Sequence, residues 1–320
     1  MKRSTRILAA ALFAASSTLL AACGNGSSGG GGGDVVRLAT GVDASYTAVY
    51  VAAEKGYFKD RGVNVEYSTL EGGPAMAQAV IAGQADMATQ SDATTTTMMG
   101  TDPALRALLD FQHSETYIKV VWGPKVKDPS EIKKLAILPG LMKLATVRYL
   151  ESKGIDVSTV TLSTATPPDI PVMLKRGDVD ATVIYEPWAT RSAQESGGKV
   201  VGSIGDFGVS YSQWLITDEK WLEGHKDEAA KVAAAIDDAN TFIREHPEEA
   251  QKIVQKAVKI PTDQTAQIMK DLVFETRDLD ESTVERATNT AQFFVKDGAM
   301  KAMPDLKQQI LTGWWSEQRP

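Results

Sequence analysis

Short apolar runs alternate with helix-like runs along the first two thirds of the chain, and glycines punctuate them. VVRLAT (35–40) is rich in β-branched residues and predicts a strand. TAVYVAAEKG (47–56) predicts a helix that stops at Gly56, the residue type that most readily takes the left-handed turn closing a helix. After a turn at Asp60-Arg61-Gly62, VNVEYST (63–69) predicts a second strand. Gly72-Gly73-Pro74 opens a helix that runs to Gly83, with proline in the tolerated first turn, and ADMAT (85–89) predicts a third strand. Strand–helix–strand–helix–strand with short connections marks a parallel sheet with helices on its faces.

The same order then recurs. KLAILPG (134–140) predicts a strand and turn, LMKLATVRYLESKG (141–154) a helix ending at Gly154, and VSTVTLST (157–164) a strand. Pro167-Pro168 precede a helix that reaches Gly177, and DATVIY (180–185) predicts another strand. Two stretches match in detail: VIAGQADMATQSD (80–92) and LKRGDVDATVIYEPW (174–188). In each, an apolar run ends at a glycine, Gly83 or Gly177, and an aspartate, Asp86 or Asp180, follows three residues on. The pattern predicts two α/β lobes of like topology. From about residue 218 the chain is mostly helical: Val232, Ile236, Ala239 and Ile243 fall near one face of 229–246, which Pro247 ends. Further helices are predicted around 248–258, 262–272, 281–297 and 304–315, and the pair Trp314-Trp315 reads as packing of a terminal helix onto the core.

The N-terminus changes the picture. Lys2, Arg3 and Arg6 precede Ile7 to Leu20, an uncharged apolar stretch too short to span a membrane and fitting a secretory signal. It ends Leu20-Ala21-Ala22-Cys23, which resembles the bacterial lipobox, with Cys23 as the lipidated residue. Residues 1–23 therefore read as a lipoprotein signal peptide and 24–33 as a Gly/Ser tether. The tether's match to G-x-G-x-x-G is spurious, because no strand precedes it and no helix follows. Cys23 is the only cysteine, so the rest of the chain has neither disulfide nor thiol chemistry. Without the three signal charges the net charge goes from −7 to −10. An acidic exported body lacks the basic patch that nucleic acid requires, and its acidity serves solubility.

Catalytic signatures are missing. His113, His225 and His246 have no metal-ligand spacing, and His225 and His246 sit in polar helical context that predicts solvation. There is no G-x-S-x-G elbow and no phosphate loop. No metal and no cofactor is expected, and binding is favoured over catalysis.

AAEKGYFKDRGVNVEY (52–67), GGPAMAQAVIAGQADMATQSD (72–92) and LKRGDVDATVIYEPW (174–188), in this order, resemble the SsuA/THI5-like group of periplasmic binding proteins. The resemblance runs from about 35 to 315. It implies an α/β bilobal periplasmic-binding-protein fold with two parallel or mixed sheets, a two-strand hinge and a helical C-terminal segment. By that analogy lobe 1 is 34–112 plus 209–320 and lobe 2 is 113–208, with hinges near Phe111–Lys119 and Asp206–Gln213. It also implies a lipid-anchored, extracytoplasmic substrate-binding subunit of an ABC importer, monomeric by default, with permease and ATPase as partner subunits. Two rivals stay open. One is an enzyme of the same fold related to thiamine-pyrimidine synthesis, although those enzymes carry a cysteine cluster that a chain with Cys23 alone lacks. The other is a ligand sensor for a membrane receptor.

The ligand is expected between the lobes, at loops that follow strands and open helices, where unpaired N–H groups converge. In lobe 1 these loops hold Ser45-Tyr46, Gly72-Gly73 and Ser91-Asp92; in lobe 2 they hold Gly140, Thr166 and Glu186 with Trp188. Each has a plainer role too: Gly72-Gly73 as a tight turn, Ser91 and Asp92 as caps of a Thr94–Met99 helix, Trp188 as packing. Lys143 reads as a solvated helical lysine. Sulfonate binders of the group carry a Gly-Ser run after the first strand of lobe 2; here LPGLMKL (138–144) has no hydroxyl. Asp92 and Glu186, with Glu71 nearby and few cations, point to a ligand with an amine or N–H, taurine-like or aminopyrimidine-like, with Tyr46, Tyr185 and Trp188 as stacking partners. Nitrate or a simple alkanesulfonate is the second choice.

Overall fold

The computed structural model describes residues 35–259 and 262–319. The signal sequence, Cys23 and the Gly/Ser tether lie outside the described residues. Among the described residues no helix is long and apolar enough to cross a membrane.

Among the described residues, eleven strands form two sheets. In chain order they are β1 (Val36–Gly41), β2 (Val65–Leu70), β3 (Met87–Ser91), β4 (Leu105–Ser114), β5 (Ile118–Trp122), β6 (Lys134–Ile137), β7 (Thr161–Thr164), β8 (Ala181–Tyr185), β9 (Lys199–Ser203), β10 (Tyr211–Asp218) and β11 (Arg277–Asp278). Sheet A has the order β11-β4-β10-β3-β1-β2, and sheet B the order β7-β6-β8-β5-β9. In sheet A, β1 pairs parallel with β2 and β3, and β10 pairs antiparallel with β3. In sheet B, β6 pairs parallel with β7 and β8, and β5 pairs antiparallel with β8. The two sheets share one design: a central parallel strand, two parallel neighbours and one antiparallel strand beyond.

The repeated aspartates explain the repeated sequence. Asp86 Oδ2 accepts the backbone N–H of Arg37 at 2.8 Å, and the Arg37 side chain grips the same carboxylate. Asp180 Oδ2 accepts the backbone N–H groups of Lys133 and Lys134 at 2.8 and 2.9 Å. Each aspartate thus secures the start of the middle strand of its sheet's parallel trio, one residue before Leu38 pairs with Met87 or Leu135 with Ala181. These are structural clasps, and neither belongs to a binding site.

The helices are α1 (Thr47–Lys55), α2 (Tyr57–Asp60), α3 (Ala75–Ile81), α4 (Asp92–Met99), α5 (Leu141–Ser152), α6 (Ile170–Arg176), α7 (Trp188–Ser196), α8 (Glu219–Gly224), α9 (Lys226–Glu245), α10 (Pro247–Val258), α11 (Thr262–Lys270), α12 (Glu281–Lys296), α13 (Leu306–Gln309) and α14 (Trp314–Gln318). On sheet A, α1 packs against α9 and α10, while α4 packs against α12. On sheet B, α6 and α7 bury Ile170, Leu174 and Ala189 against Val121, Ala136 and Ile184. The helix expected over 304–315 is instead two short ones, because Ile310 leaves the helical path to bridge Ala107 of β4. Trp314 and Trp315 are buried, as core packing requires.

The chain leaves sheet A after Ser114, enters sheet B at Ile118, and returns from Ser203 to Tyr211. Cross-links tie the two sheets' elements. Lys119 of β5 contacts Asp271 at 2.6 Å, and Lys143 of α5 is ion-paired with Asp297 after α12. Lys143 is therefore partnered, where the sequence suggested simple solvation.

Candidate functional site

A cleft of about 550 Å³ opens at the carboxyl ends of β1, β3 and β6. This is where an open α/β sheet offers helix N-termini and loop backbone to a ligand. Tyr46, Gly72, Gly73, Ser91 and Gly140 all line it. Gln90 Nε2 donates to the Gly73 carbonyl at 2.7 Å, tying the 72–74 turn to the end of β3. Gly140 stands before α5 with φ of 72°, a backbone that side chains rarely adopt, and turns the chain so that the α5 N-terminus faces the cleft. Ser91 caps α4 in extended backbone, but its hydroxyl donates to Thr94 Oγ1 at 2.9 Å and accepts no N–H from the helix.

Five other expected residues do not line this cleft. Ser45 is buried behind it, donating to Asp43 Oδ1 at 2.6 Å and receiving Gln213 Nε2 at 3.1 Å. Asp92, the first residue of α4, faces a different cavity. Glu186 is fully buried: Lys119 Nζ lies 2.9 Å away, and the N–H and hydroxyl of Thr190 donate to it at 3.0 and 2.7 Å. It serves the first turn of α7. Thr166 is exposed and donates to Asp169. Trp188 packs on the sheet B core with Arg191 over its ring at 5.1 Å. The strand-end rule brings loops to a cleft, but a side chain one or two residues further on can turn into its own lobe.

Residues outside the sequence expectation complete the lining. Asp43 lies two residues before Ser45, and both Ser45 hydrogen bonds, from N at 2.8 Å and Oγ at 2.6 Å, land on its Oδ1. Burial pushes the Asp43 carboxyl up, and the Ser45 bonds only partly oppose this. Tyr117 and Tyr211 join Tyr46 and Tyr185, the two tyrosines the sequence offered as stacking partners. Tyr117 lies 6.0 Å from Tyr185 and 5.3 Å from Tyr211, ring centre to ring centre. Burial raises all four phenols, with Asp43's negative charge adding to it, so they remain neutral hydroxyls. Gln213 Nε2 donates to Tyr211 Oη at 2.6 Å, while Gln213 Oε1 is buried with no hydrogen-bond partner among the described residues. Among the described residues, no lysine, arginine or histidine lines the cleft. A D-x-S turn directly after the first strand was the one sequence signal for Asp43; Tyr117 comes from the link between β4 and β5, and Tyr211 and Gln213 from β10, and neither stretch carries a motif.

The histidines are elsewhere. His225 stacks on Trp221 at 4.7 Å, so it is half-buried against a ring where solvation was expected. Burial lowers His113 to about 4. Among the described residues no group of acidic, histidine or cysteine side chains is placed to hold a metal.

Comparison with known proteins agrees with this architecture. A Bacillus subtilis (strain 168) protein assigned to aliphatic sulfonate binding is 22% identical over 290 residues, covering 84% of each chain. The periplasmic aliphatic sulphonate binding protein SsuA of Escherichia coli superposes with a TM-score of 0.78 at 15% identity, over 88% of this chain and 93% of that one. The alkanesulfonate-binding protein SsuA of Xanthomonas axonopodis pv. citri, bound to MOPS, gives a TM-score of 0.70 at 12% identity, over 87% and 98%. Likeness at these identities establishes the periplasmic-binding-protein fold. The family model described as NMT1/THI5 like matches residues 43–250, more than half of the chain, which therefore belongs to the NMT1/THI5-like family.

Proposed function

We propose that this chain is the extracytoplasmic substrate-binding subunit of an ABC importer, and that its cleft captures a small organic solute bearing an amine or ring N–H. The lining of the cleft carries this reading: one carboxylate at Asp43, an unpartnered acceptor at Gln213 Oε1, four tyrosines and no cation. A buried acceptor without a partner calls for a donor, and a half-buried carboxylate calls for a positive or N–H-rich group. Tyrosine faces hold flat rings or cations. An aminopyrimidine-like or taurine-like molecule meets these demands. The acceptors expected at Asp92 and Glu186 are replaced in this role by Asp43 and Gln213.

A second reading is a bare oxyanion, which the relatives' sulfonate names favour. It is supported by the starts of α4 and α5 at the cleft, whose first N–H groups carry partial positive charge. The lobes, 34–112 with 209–320 and 113–208, close on the solute, and closure is the signal to a permease with its separate ATPase. Lipid attachment at Cys23 holds the protein at the outer membrane face. Binding without catalysis is supported by the relatives, which are named for sulfonate binding.

Thermal-shift titration with aminopyrimidines, taurine, small amines, alkanesulfonates and nitrate tests this. A binder at 100 times its Kd adds about 2.7 kcal/mol, a clear rise in Tm. A rise with amine or ring compounds that Asp43→Asn markedly reduces is the expected result. A rise confined to nitrate or simple sulfonates would overturn it in favour of the helix N-termini.

A further inference from the structure

Strand β10 shows alternate residues to two different cavities. Tyr211 and Gln213 line the cleft; Ser212 and Trp214 line a second cavity of about 360 Å³. Its walls come from both sheets' helices: Asp92 of α4 and Arg286 of α12 on one side, Arg148 of α5 on the other. Leu141, at the start of α5, belongs to both cavities.

The charge in this second cavity is opposite to that in the cleft. Two guanidiniums, Arg148 and Arg286, face one carboxylate, Asp92. Arg286 donates only to hydroxyls, Ser282 Oγ at 2.9 Å and Thr283 Oγ1 at 3.0 Å, and has no carboxylate ion pair among the described residues. The same two hydroxyls donate to Asp280, so that carboxylate and Asp92 feel the Arg286 charge through space while neither pairs with it directly, and its fork is left open to an oxyanion. Arg148 pairs with Glu151 on its own helix at 3.0 Å, an exposed and weak contact. Asp92 is already engaged, its Oδ1 accepting the Ala93 N–H at 2.8 Å, with Ser212 as a further donor.

We infer that this second cavity is a site for a small carboxylate or sulfonate anion, held by Arg286 from one lobe and Arg148 from the other. An ion gripped by both lobes binds the closed arrangement better than the open one. By linkage it raises the affinity of the cleft for its own solute, and the solute raises the affinity for the ion. The site depends on the two-lobe fold and not on which solute the cleft takes.

Trp214 gives the site a built-in reporter. The full chain is titrated with sodium methanesulfonate and with sodium acetate, exchanged against chloride at constant ionic strength, while tryptophan emission and Tm are followed. The expected result is a saturable emission change with a rise in Tm, weakened at least tenfold by Arg286→Gln and kept in Asp43→Asn. Arg148→Gln, at an exposed position, repeats the test if Arg286→Gln does not fold. No saturable response, or one that neither arginine variant weakens, overturns the inference. A response that Asp43→Asn strengthens and Arg286→Gln leaves unchanged places the anion in the cleft, overturning this site while supporting the oxyanion reading of the cleft.

Discussion

Lys119 Nζ lies 2.9 Å from the fully buried Glu186 carboxylate, and the same ammonium reaches Asp271 of the other sheet's lobe at 2.6 Å. One cation thus neutralises a buried charge and joins two lobes. Lys119→Met strands Glu186, and removing one partner of a buried pair costs about 3–5 kcal/mol, to be read from urea unfolding. Glu186→Gln keeps an acceptor for Thr190 and leaves solute affinity within about twofold. A tenfold affinity loss in Glu186→Gln at unchanged stability would return Glu186 to the ligand.

Asp43→Asn removes the cleft's charge and keeps its shape. Hydrogen bonds to a charged group contribute about 1.5–3 kcal/mol, so calorimetry should show solute binding weakened roughly 10- to 150-fold. The sign with pH follows from burial, which raises the Asp43 carboxyl. An amine solute binds the ionised form, so affinity is full above the raised value and falls as pH drops through it. In Asp43→Asn that slope disappears.

Gly41 has no room for a side chain: a Cβ there would lie 2.1 Å from the Tyr46 ring. Gly41→Ala forces that ring out of its packed position beside the cleft. Overpacking of this kind costs about 1–3 kcal/mol, and the displaced ring should also weaken solute binding. Unchanged Tm and unchanged affinity together would show that Tyr46 is free to move aside at no cost.

Asp110 is buried in β4 with Arg277 at 2.7 Å, yet burial outweighs that partner and pushes the carboxyl up to about 7 from its ordinary 3.8. A carboxyl raised by folding is more stable protonated. Its contribution is full below pH 3.8 and is lost as pH rises to about 7. Asp92, pushed up to about 6, acts in the same direction. Urea melts from pH 4 to 8 should show the wild-type chain losing about 2–4 kcal/mol relative to Asp110→Asn as pH rises. A constant difference would mean that Arg277 keeps Asp110 ionised throughout.

What could be read from the sequence was local. Gly56, Gly154 and Gly177 announced helix ends and all take positive φ. The Asp86 and Asp180 matches announced twin sheets because each clasp needs the same side chain at the same place. β4 was not legible: LRALLDFQHS is buried on both faces, except at His113, so no period of two shows. The cleft was half legible. Loops after strands led to Gly72, Gly73 and Gly140, whose backbone does the shaping, whereas Tyr117 reaches the cleft from the link between the sheets and Tyr211 and Gln213 reach it from β10. Glu186 misled because its distance from the strand end suits a cleft residue, while Lys119, far off in sequence, draws it inward.

β10 lies between β3 and β4 in sheet A, although all of sheet B precedes it in the chain. During synthesis, β5 to β9 can therefore complete their sheet while the other still has a missing central strand. Until Tyr211–Asp218 is delivered, β3 and β4 present bare edges, each a template for wrong pairing. The inserted lobe is thus the first part able to mature, and a chain cut just before β10 should aggregate through the lobe that began first.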